Sequence, residues 1–231
     1  MGRLPEAVVW DLDGTLIDSA PDICLALNAV LTESGMESQE VESVRTMIGN
    51  GVQKLVERGF AAVGRELSDK ELDTKVRTFM AHYSANPTAH TRLYPGVADT
   101  LQSLATAGVK QGLCTNKPEA ITRSILRSLN IDQHFSAVVG GDTTDARKPD
   151  PRPLQFCIDT MGAANGGTVM IGDSAVDAGS ARAVGIPIGL VGHGYRHTDL
   201  ASIDADFVVE DIASVPETLV AQIESGLALK C

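Results

Sequence analysis

The chain has 231 residues, 43% of them hydrophobic and 4% aromatic, which is typical of a globular protein with one large domain or a core and a smaller module. Its formal net charge is -11 and no cluster of Lys and Arg stands out, so we expect neither nucleic acid nor an anionic membrane as a partner. The four cysteines form no CxxC pair, and no apolar segment resembles a signal peptide or approaches the ~20 residues of a membrane span, so we expect a cytoplasmic protein with reduced thiols.

The first predicted element is a buried strand that ends in two carboxylates. Val8, Val9 and Trp10 lead directly into Asp11-Leu12-Asp13-Gly14. Burying like charges this close together is costly unless a cation pairs with them, so the pair indicates either a polar turn or a cation site. A helical pattern follows, which disfavours a hairpin turn, and Gly14 comes too early for an EF-hand loop.

Residues 18–90 show helical patterns and no convincing strand, so we predict an all-helical insert, or cap, after the first strand. Pro21 suits the first turn of the first helix. The predicted helices cover Asp22–Leu31, Val41–Ile48, Val52–Ala62 and Asp69–Tyr83.

The rest of the chain alternates short apolar runs with amphipathic helical patterns. Strands that are apolar on both faces are typical of a parallel sheet covered by helices, so we predict an α/β fold with a doubly wound, mostly parallel sheet. Its core would comprise residues 1–17 and 91–231. The further predicted strands are Gly112–Cys114, Ala137–Val139, Val169–Ile171, Ile186–Val191 and Phe207–Val209, with helices around Val97–Ala105 and Leu154–Met161.

Polar side chains follow the predicted strands, at the sheet edge where open α/β folds bind ligands. Carboxylates are ligands that Mg²⁺ prefers, so Asp11, Asp13 and Asp173 could surround Mg²⁺, with Lys148 offsetting part of the negative charge. Asp11 could then attack phosphorus and Asp13 could act as general acid and base. Each residue also has a plain interpretation: Thr115 could be a helix cap and Lys148 a solvated loop lysine, while Asp150-Pro151 could simply begin a helix.

Four motifs in this order, DLDGTLIDS, TNK, KPDP and GDSAVD, resemble those of the haloacid dehalogenase superfamily. The resemblance implies a Rossmann-like core with a helical cap. It implies that Asp11 is the nucleophile and Asp13 the acid and base, that Thr115 binds the substrate phosphate, and that Lys148 stabilises an aspartyl-phosphate. The amides near Asn116 could also hold phosphate oxygens, at the N-terminus of the next helix. The implied Mg²⁺ ligands are Asp11, the backbone carbonyl of Asp13, and Asp173. Thr15 and Ser174 would support them, while Asp177, one helical turn beyond Asp173, could either touch the metal or only support its ligands.

Three functions follow from the resemblance, and two positions separate them. Dehalogenases of the superfamily lack the second aspartate, so Asp13 favours phosphate esters, whose leaving oxygen needs a proton. Phosphomutases carry a cap histidine where this chain has Ile23. We therefore predict a Mg²⁺-dependent phosphatase acting on a small phosphorylated metabolite, ahead of a phosphomutase-type isomerase and of a regulatory binding module.

The insert also contains a candidate substrate loop, Ile48-Gly49-Asn50-Gly51. Asn50 could cap the following helix, and the two glycines would let the backbone approach a ligand. A helix N-terminus attracts a small carboxylate, so we predict 2-phosphoglycolate as the substrate, ahead of sugar phosphates, pyrophosphate and nucleotides. This interpretation depends on the resemblance, because alone the loop looks like a turn between two helices.

Overall fold

The computed structural model describes residues 2–196 and 198–227. None of the helices among these residues is long and apolar enough to cross a membrane. The strands are β1 (Ala7–Trp10), β2 (Ile17–Asp18), β3 (Arg92–Leu93), β4 (Lys110–Cys114), β5 (Ala137–Val139), β6 (Thr168–Gly172), β7 (Ile188–Val191) and β8 (Phe207–Val209). The helices are α1 (Ala20–Glu33), α2 (Val41–Arg45), α3 (Val52–Ala62), α4 (Asp69–Ala85), α5 (Val97–Thr106), α6 (Glu119–Ser128), α7 (Pro151–Met161), α8 (Ala175–Val184) and α9 (Val215–Glu224).

The main sheet has six strands in the order β5-β4-β1-β6-β7-β8, and every neighbouring pair is parallel. All four residues of β1 are fully buried because helices cover both faces, as the unbroken apolar run in the sequence predicts. The predicted doubly wound α/β fold is therefore confirmed. Strand β1 lies between β4 and β6, so the residues that follow these three strands meet at one edge of the sheet.

Helices α1 to α4 form the segment between β2 and β3, and their apolar faces pack on one another. The chain enters and leaves this helical segment through a two-stranded antiparallel ribbon, in which Ile17 pairs with Leu93 and Asp18 with Arg92. Strands of two residues carry no periodic hydrophobic signal, so the sequence does not predict this ribbon. The two points at which the chain enters and leaves the helical segment therefore lie side by side.

Two predicted elements are longer than the observed ones. Helix α2 ends at Arg45 rather than at Ile48, because the chain turns there into a loop whose glycines, Gly49 and Gly51, have φ values of 116° and 85°. Strand β7 begins at Ile188 rather than at Ile186, because the N–H of Ile186 donates to the carbonyl of Ala181 and so closes the end of α8. The predicted helix start at Asp150-Pro151 is confirmed, with the Asp150 carboxylate accepting from the N–H of Arg152.

Candidate active site

Three buried polar residues follow the central strands of the sheet. Asp11 follows β1, Thr115 follows β4 and Asp173 follows β6, and each is less than a tenth exposed. Their positions are fixed by parallel pairing, with Trp10 of β1 aligned with Leu113 of β4 and Ile171 of β6. The sheet thus brings Asp11 together with two residues that are about 100 and 160 positions further along the sequence.

A carboxylate cluster and one ammonium group form the centre of this edge. Asp11, Asp173 and Asp177 each offer an oxygen atom, and these atoms all lie within 4.8 Å of one another. Lys148, which is 4% exposed, places its Nζ 2.7 Å from an Asp11 oxygen and 2.6 Å from an Asp177 oxygen. One lysine therefore pairs with two of the three buried carboxylates, and the cluster keeps an excess of negative charge.

The pKa values of the cluster reflect this excess. Burial raises the pKa of Asp11 to about 7, with the Asp177 charge adding to the rise and Lys148 opposing it. Burial and the neighbouring carboxylates also raise the pKa of Asp173 well above its usual value. The raised pKa values of two carboxyl groups beside a third carboxylate indicate a site for a divalent cation. Such a cation would supply the missing positive charge. The donor set is all oxygen, as Mg²⁺ prefers.

Asp173 is held against the loop that follows β1. Its Oδ2 accepts a hydrogen bond of 2.6 Å from the backbone N–H of Tyr195. Gly14 lies directly beside it, because a Cβ at that position would stand 2.4 Å from Asp173 Oδ2. Gly14 also has a φ of 88°, which side chains other than glycine rarely adopt. Glycine is therefore required at position 14 for two independent reasons.

Asp177 uses both of its oxygens within the protein. Oδ1 accepts from Lys148, while Oδ2 accepts from the N–H groups of Asp173 and Ser174 and from the Ser174 hydroxyl. These contacts fix the start of α8. Ser174 is the residue that immediately precedes this helix. Asp177 thus anchors the cluster to the helix, and its lone pairs are largely engaged.

Asp13 points away from the cluster formed by Asp11, Asp173 and Asp177. Its two carboxylate oxygens lie 2.9 and 3.1 Å from Lys117 Nζ, and Oδ1 also accepts from the Ser19 hydroxyl at 2.5 Å. Burial lowers the pKa of Lys117, but Asp13 and Tyr83 together raise it by more, so this pKa lies above its usual value. The alternation of side chains along the chain therefore gives the two aspartates different surroundings.

Thr115 and Asn116 lie beside Lys148 at the end of β4. The Thr115 hydroxyl oxygen accepts from the N–H of Lys117 at 3.2 Å, which leaves its own proton free to be donated. The Asn116 amide nitrogen donates to the carbonyls of Gly49 and Lys148, both at 3.0 Å. Asn116 Oδ1, like the hydroxyl of Thr15, is buried without a hydrogen-bond partner among the described residues.

A cavity above this edge is closed on its other side by the helical segment. Gly49 and Gly51 line it together with apolar side chains. The prediction that Asn50 caps the following helix is wrong. Gly51 is the residue before α3, and the amide oxygen of Asn50 accepts from Arg58 at 2.8 Å. The residues of the helical segment that line the cavity are Ile23, Ile48, Gly49, Gly51, Val52, Leu55, Phe79, Met80 and Tyr83.

Sequence reasoning missed two polar residues that line this cavity, Lys117 and Tyr83. Lys117 belongs to the TNK motif, but its pairing with Asp13 spans 104 positions and leaves no local signal. Tyr83 sits on α4 at a helical spacing that marks it only as a core residue. Both are recognisable only once the fold places α4 over the end of β4.

Comparisons with known proteins agree on one family. Residues 8–191 match the family described as haloacid dehalogenase-like hydrolases. The chain is 40% identical over 220 residues to a phosphoglycolate phosphatase of Rhodospirillum rubrum, covering 94% of this chain and 91% of that protein. It is 36% identical over 218 residues to a phosphoglycolate phosphatase of Caulobacter vibrioides, covering 94% and 92%. The crystal structure of a predicted phosphoglycolate phosphatase from Haemophilus somnus superposes with a TM-score of 0.87 at 30% identity, covering 92% of this chain and 97% of that one.

Proposed function

This chain belongs to the haloacid dehalogenase-like hydrolase family, and we propose that it is a Mg²⁺-dependent phosphatase that hydrolyses 2-phosphoglycolate to glycolate and phosphate. The observation that carries the proposal is the buried group formed by Asp11, Asp173, Asp177 and Lys148 at the end of the central strands. One lysine cannot balance three buried carboxylates, so burying this group is costly without a further cation. The relatives named phosphoglycolate phosphatase support the choice of substrate.

Asp11 is the nucleophile in this proposal. A carboxylate oxygen of Asp11 attacks phosphorus and forms an acyl phosphate, while the bond between phosphorus and the glycolate oxygen breaks. Water then attacks the same phosphorus, and the bond to Asp11 breaks, which releases phosphate and restores the carboxylate. Lys148, 2.7 Å from Asp11, stabilises the ionised form of the nucleophile.

Asp13 moves the proton in both steps. It gives a proton to the departing glycolate oxygen and later takes one from the attacking water. Its side chain is held by Ser19 and Lys117 and lines the same cavity as Asp11. Separating the nucleophile from the acid and base in this way lets one residue stay ionised while the other exchanges a proton.

Asp11, Asp173 and the backbone carbonyl of Asp13 are the groups we propose to hold the metal ion. Asp177 supports them without binding the ion itself, since Lys148, Ser174 and a backbone N–H already occupy its oxygens. When bound, Mg²⁺ supplies the positive charge that the carboxylates lack and that the phosphoryl oxygens need. Thr15 and Ser174 belong to the loops that support the ligands.

The phosphate is held by Thr115, Asn116 and Lys148 in the proposed complex. Thr115 has a hydroxyl proton to donate, and the Asn116 amide nitrogen links the loop of the helical segment to the loop of Lys148. Gly49 and Gly51 contribute bare backbone to the opposite wall of the cavity. Asn50 supports this loop through Arg58, which is a structural use rather than the predicted helix cap.

Residues 18–90 act as a cap that opens and closes over the site, and residues 1–17 and 91–231 form the catalytic core. The ribbon of β2 and β3 supports a hinge between the cap and the core, because the chain both enters and leaves the helical segment through this ribbon. Ile23 lines the cavity as an apolar side chain that cannot transfer a proton, which disfavours phosphomutase chemistry. We further propose a cytoplasmic location, supported by the free thiols of Cys24, Cys114 and Cys157.

Steady-state kinetics on a panel of phosphorylated metabolites tests this function. We expect kcat/KM for 2-phosphoglycolate to exceed that for sugar phosphates, pyrophosphate and nucleoside monophosphates, and we expect chelation to abolish turnover reversibly. A tenfold preference for another substrate, about 1.4 kcal/mol of transition-state binding, would overturn the substrate assignment and leave the phosphatase assignment. Activity that survives exhaustive chelation would overturn the metal requirement.

A further inference from the structure

A buried phenol and a buried ammonium group stand together on the cap side of the cavity. The Lys117 Nζ lies 4.7 Å from the centroid of the Tyr83 ring, and both residues line the cavity. Tyr83 is 3% exposed and Lys117 is 6% exposed. Lys117 comes from the core and Tyr83 from α4, so this pair joins the two walls of the cavity directly above Asp13.

One of the two side chains, Tyr83, keeps a hydrogen-bond donor that the protein does not use. The hydroxyl of Tyr83 is buried and has no hydrogen-bond partner among the described residues. Burial raises the pKa of Tyr83 to about 12, so the phenol keeps its proton. The Lys117 ammonium group lies 2.9 and 3.1 Å from the two oxygens of Asp13 and faces the Tyr83 ring. A buried donor without an acceptor is costly, which points to an acceptor that arrives with the ligand.

The charges of the cavity identify that acceptor. Lys117 and Lys148 are the cationic side chains among the described residues that line it, and Lys148 is already shared by two carboxylates. Lys117 is paired with one carboxylate only and lies on the cap side, away from the carboxylate cluster. An anionic group at the far end of a short phosphate ester would therefore meet Lys117 and the Tyr83 hydroxyl.

We propose that Lys117 and Tyr83 form the binding site for the carboxylate of the substrate, with one carboxylate oxygen accepting from the ammonium group and the other from the phenol. The inference rests on the proposed function, since it requires a substrate that bears both a phosphate and a carboxylate. It replaces the predicted role of Asn50 and the first turn of α3 as the source of carboxylate specificity. Because Tyr83 belongs to the cap, only the closed arrangement completes this site.

The test compares 2-phosphoglycolate with ethyl phosphate, which has the same two-carbon chain and lacks the carboxylate. In Tyr83→Phe, kcat/KM for 2-phosphoglycolate should fall about tenfold more than kcat/KM for ethyl phosphate, mainly through KM. Thermal stability should stay equal or rise, because the substitution removes an unpartnered buried hydroxyl. Tyr94→Phe, which removes a hydroxyl outside the cavity lining, is the matched control and should leave the ratio unchanged.

Lys117→Met provides the second variant. Both substrates should slow down, because Asp13 loses its partner, and the preference for 2-phosphoglycolate should fall further than in Tyr83→Phe. A wild-type preference that both variants retain would overturn the carboxylate site and leave the proposed function standing. A wild-type enzyme without preference for 2-phosphoglycolate over ethyl phosphate would overturn both.

Discussion

Lys148→Met removes the ammonium group that holds the carboxylate cluster together, with little change in side-chain volume. Lys148 is 4% exposed and lies 2.7 Å from Asp11 and 2.6 Å from Asp177, so its loss leaves both carboxylates buried without their cationic partner. Breaking a buried ion pair from one side costs about 3–5 kcal/mol. Since 1 kcal/mol shifts the Tm of a chain this size by about 2–4 °C, we expect the Tm of the metal-free protein to fall by about 6–20 °C.

Thermal unfolding followed by circular dichroism at neutral pH measures this loss, and Lys54→Met is the matched control. Lys54 lies 2.6 Å from Glu57, as close as Lys148 is to Asp177, but its side chain is 58% exposed. The control should therefore lose at most about 1 kcal/mol. Adding Asp177→Asn to Lys148→Met should recover part of the loss, because it removes one buried charge. Equal Tm losses for Lys148→Met and Lys54→Met would refute the reasoning.

Three further predictions concern protons, the backbone and the cap. In metal-free protein, Asp11 has a pKa of about 7 when folded and an ordinary value of 3.8 when unfolded, so the folded state binds more protons between these pH values. Its contribution to the free energy of unfolding should therefore rise as the pH falls from neutral, by up to about 1.4 kcal/mol per pH unit, and urea titrations with and without Mg²⁺ should show that the ion suppresses this rise. Gly14→Ala should weaken Mg²⁺ binding in calorimetry and lower stability by more than Gly35→Ala, because Gly35 shares a positive φ but has open space around it. Electron–electron distance measurements between spin labels on α3 and α7 should show residues 18–90 moving towards the core when a substrate analogue binds, and identical distributions would contradict a gating cap.

The sequence predicts the sheet, and the carboxylates at one edge of it, because both signals lie in short stretches of neighbouring residues. Asp11 and Asp173 directly follow fully apolar runs, and the carboxyl ends of adjacent parallel strands must meet. No long-range information is needed to expect these side chains in one place. The same holds for α7, whose start is predicted by Asp150-Pro151.

The parts that the sequence does not predict depend on contacts between distant segments. A single lysine after a strand looks solvated until the fold places Lys117 against Asp13, and Tyr83 looks like any core residue of a helix. Asn50 fails as a helix cap because Gly51, with its φ of 85°, begins the turn one residue later and Arg58 takes the Asn50 side chain. Asn has a higher propensity than Gly for the position before a helix, but the contact between Asn50 and Arg58 leaves that position to Gly51.

Chemical trapping of the phosphorylated enzyme tests most directly whether Asp11 is the nucleophile of a phosphatase. Borohydride reduces an aspartyl-phosphate to homoserine, and peptide mass mapping locates the converted residue. With 2-phosphoglycolate and Mg²⁺ present, homoserine should appear at position 11, and Asp11→Asn should show neither conversion nor turnover while keeping its fold. Homoserine at another aspartate, or full turnover by Asp11→Asn, would contradict the assignment.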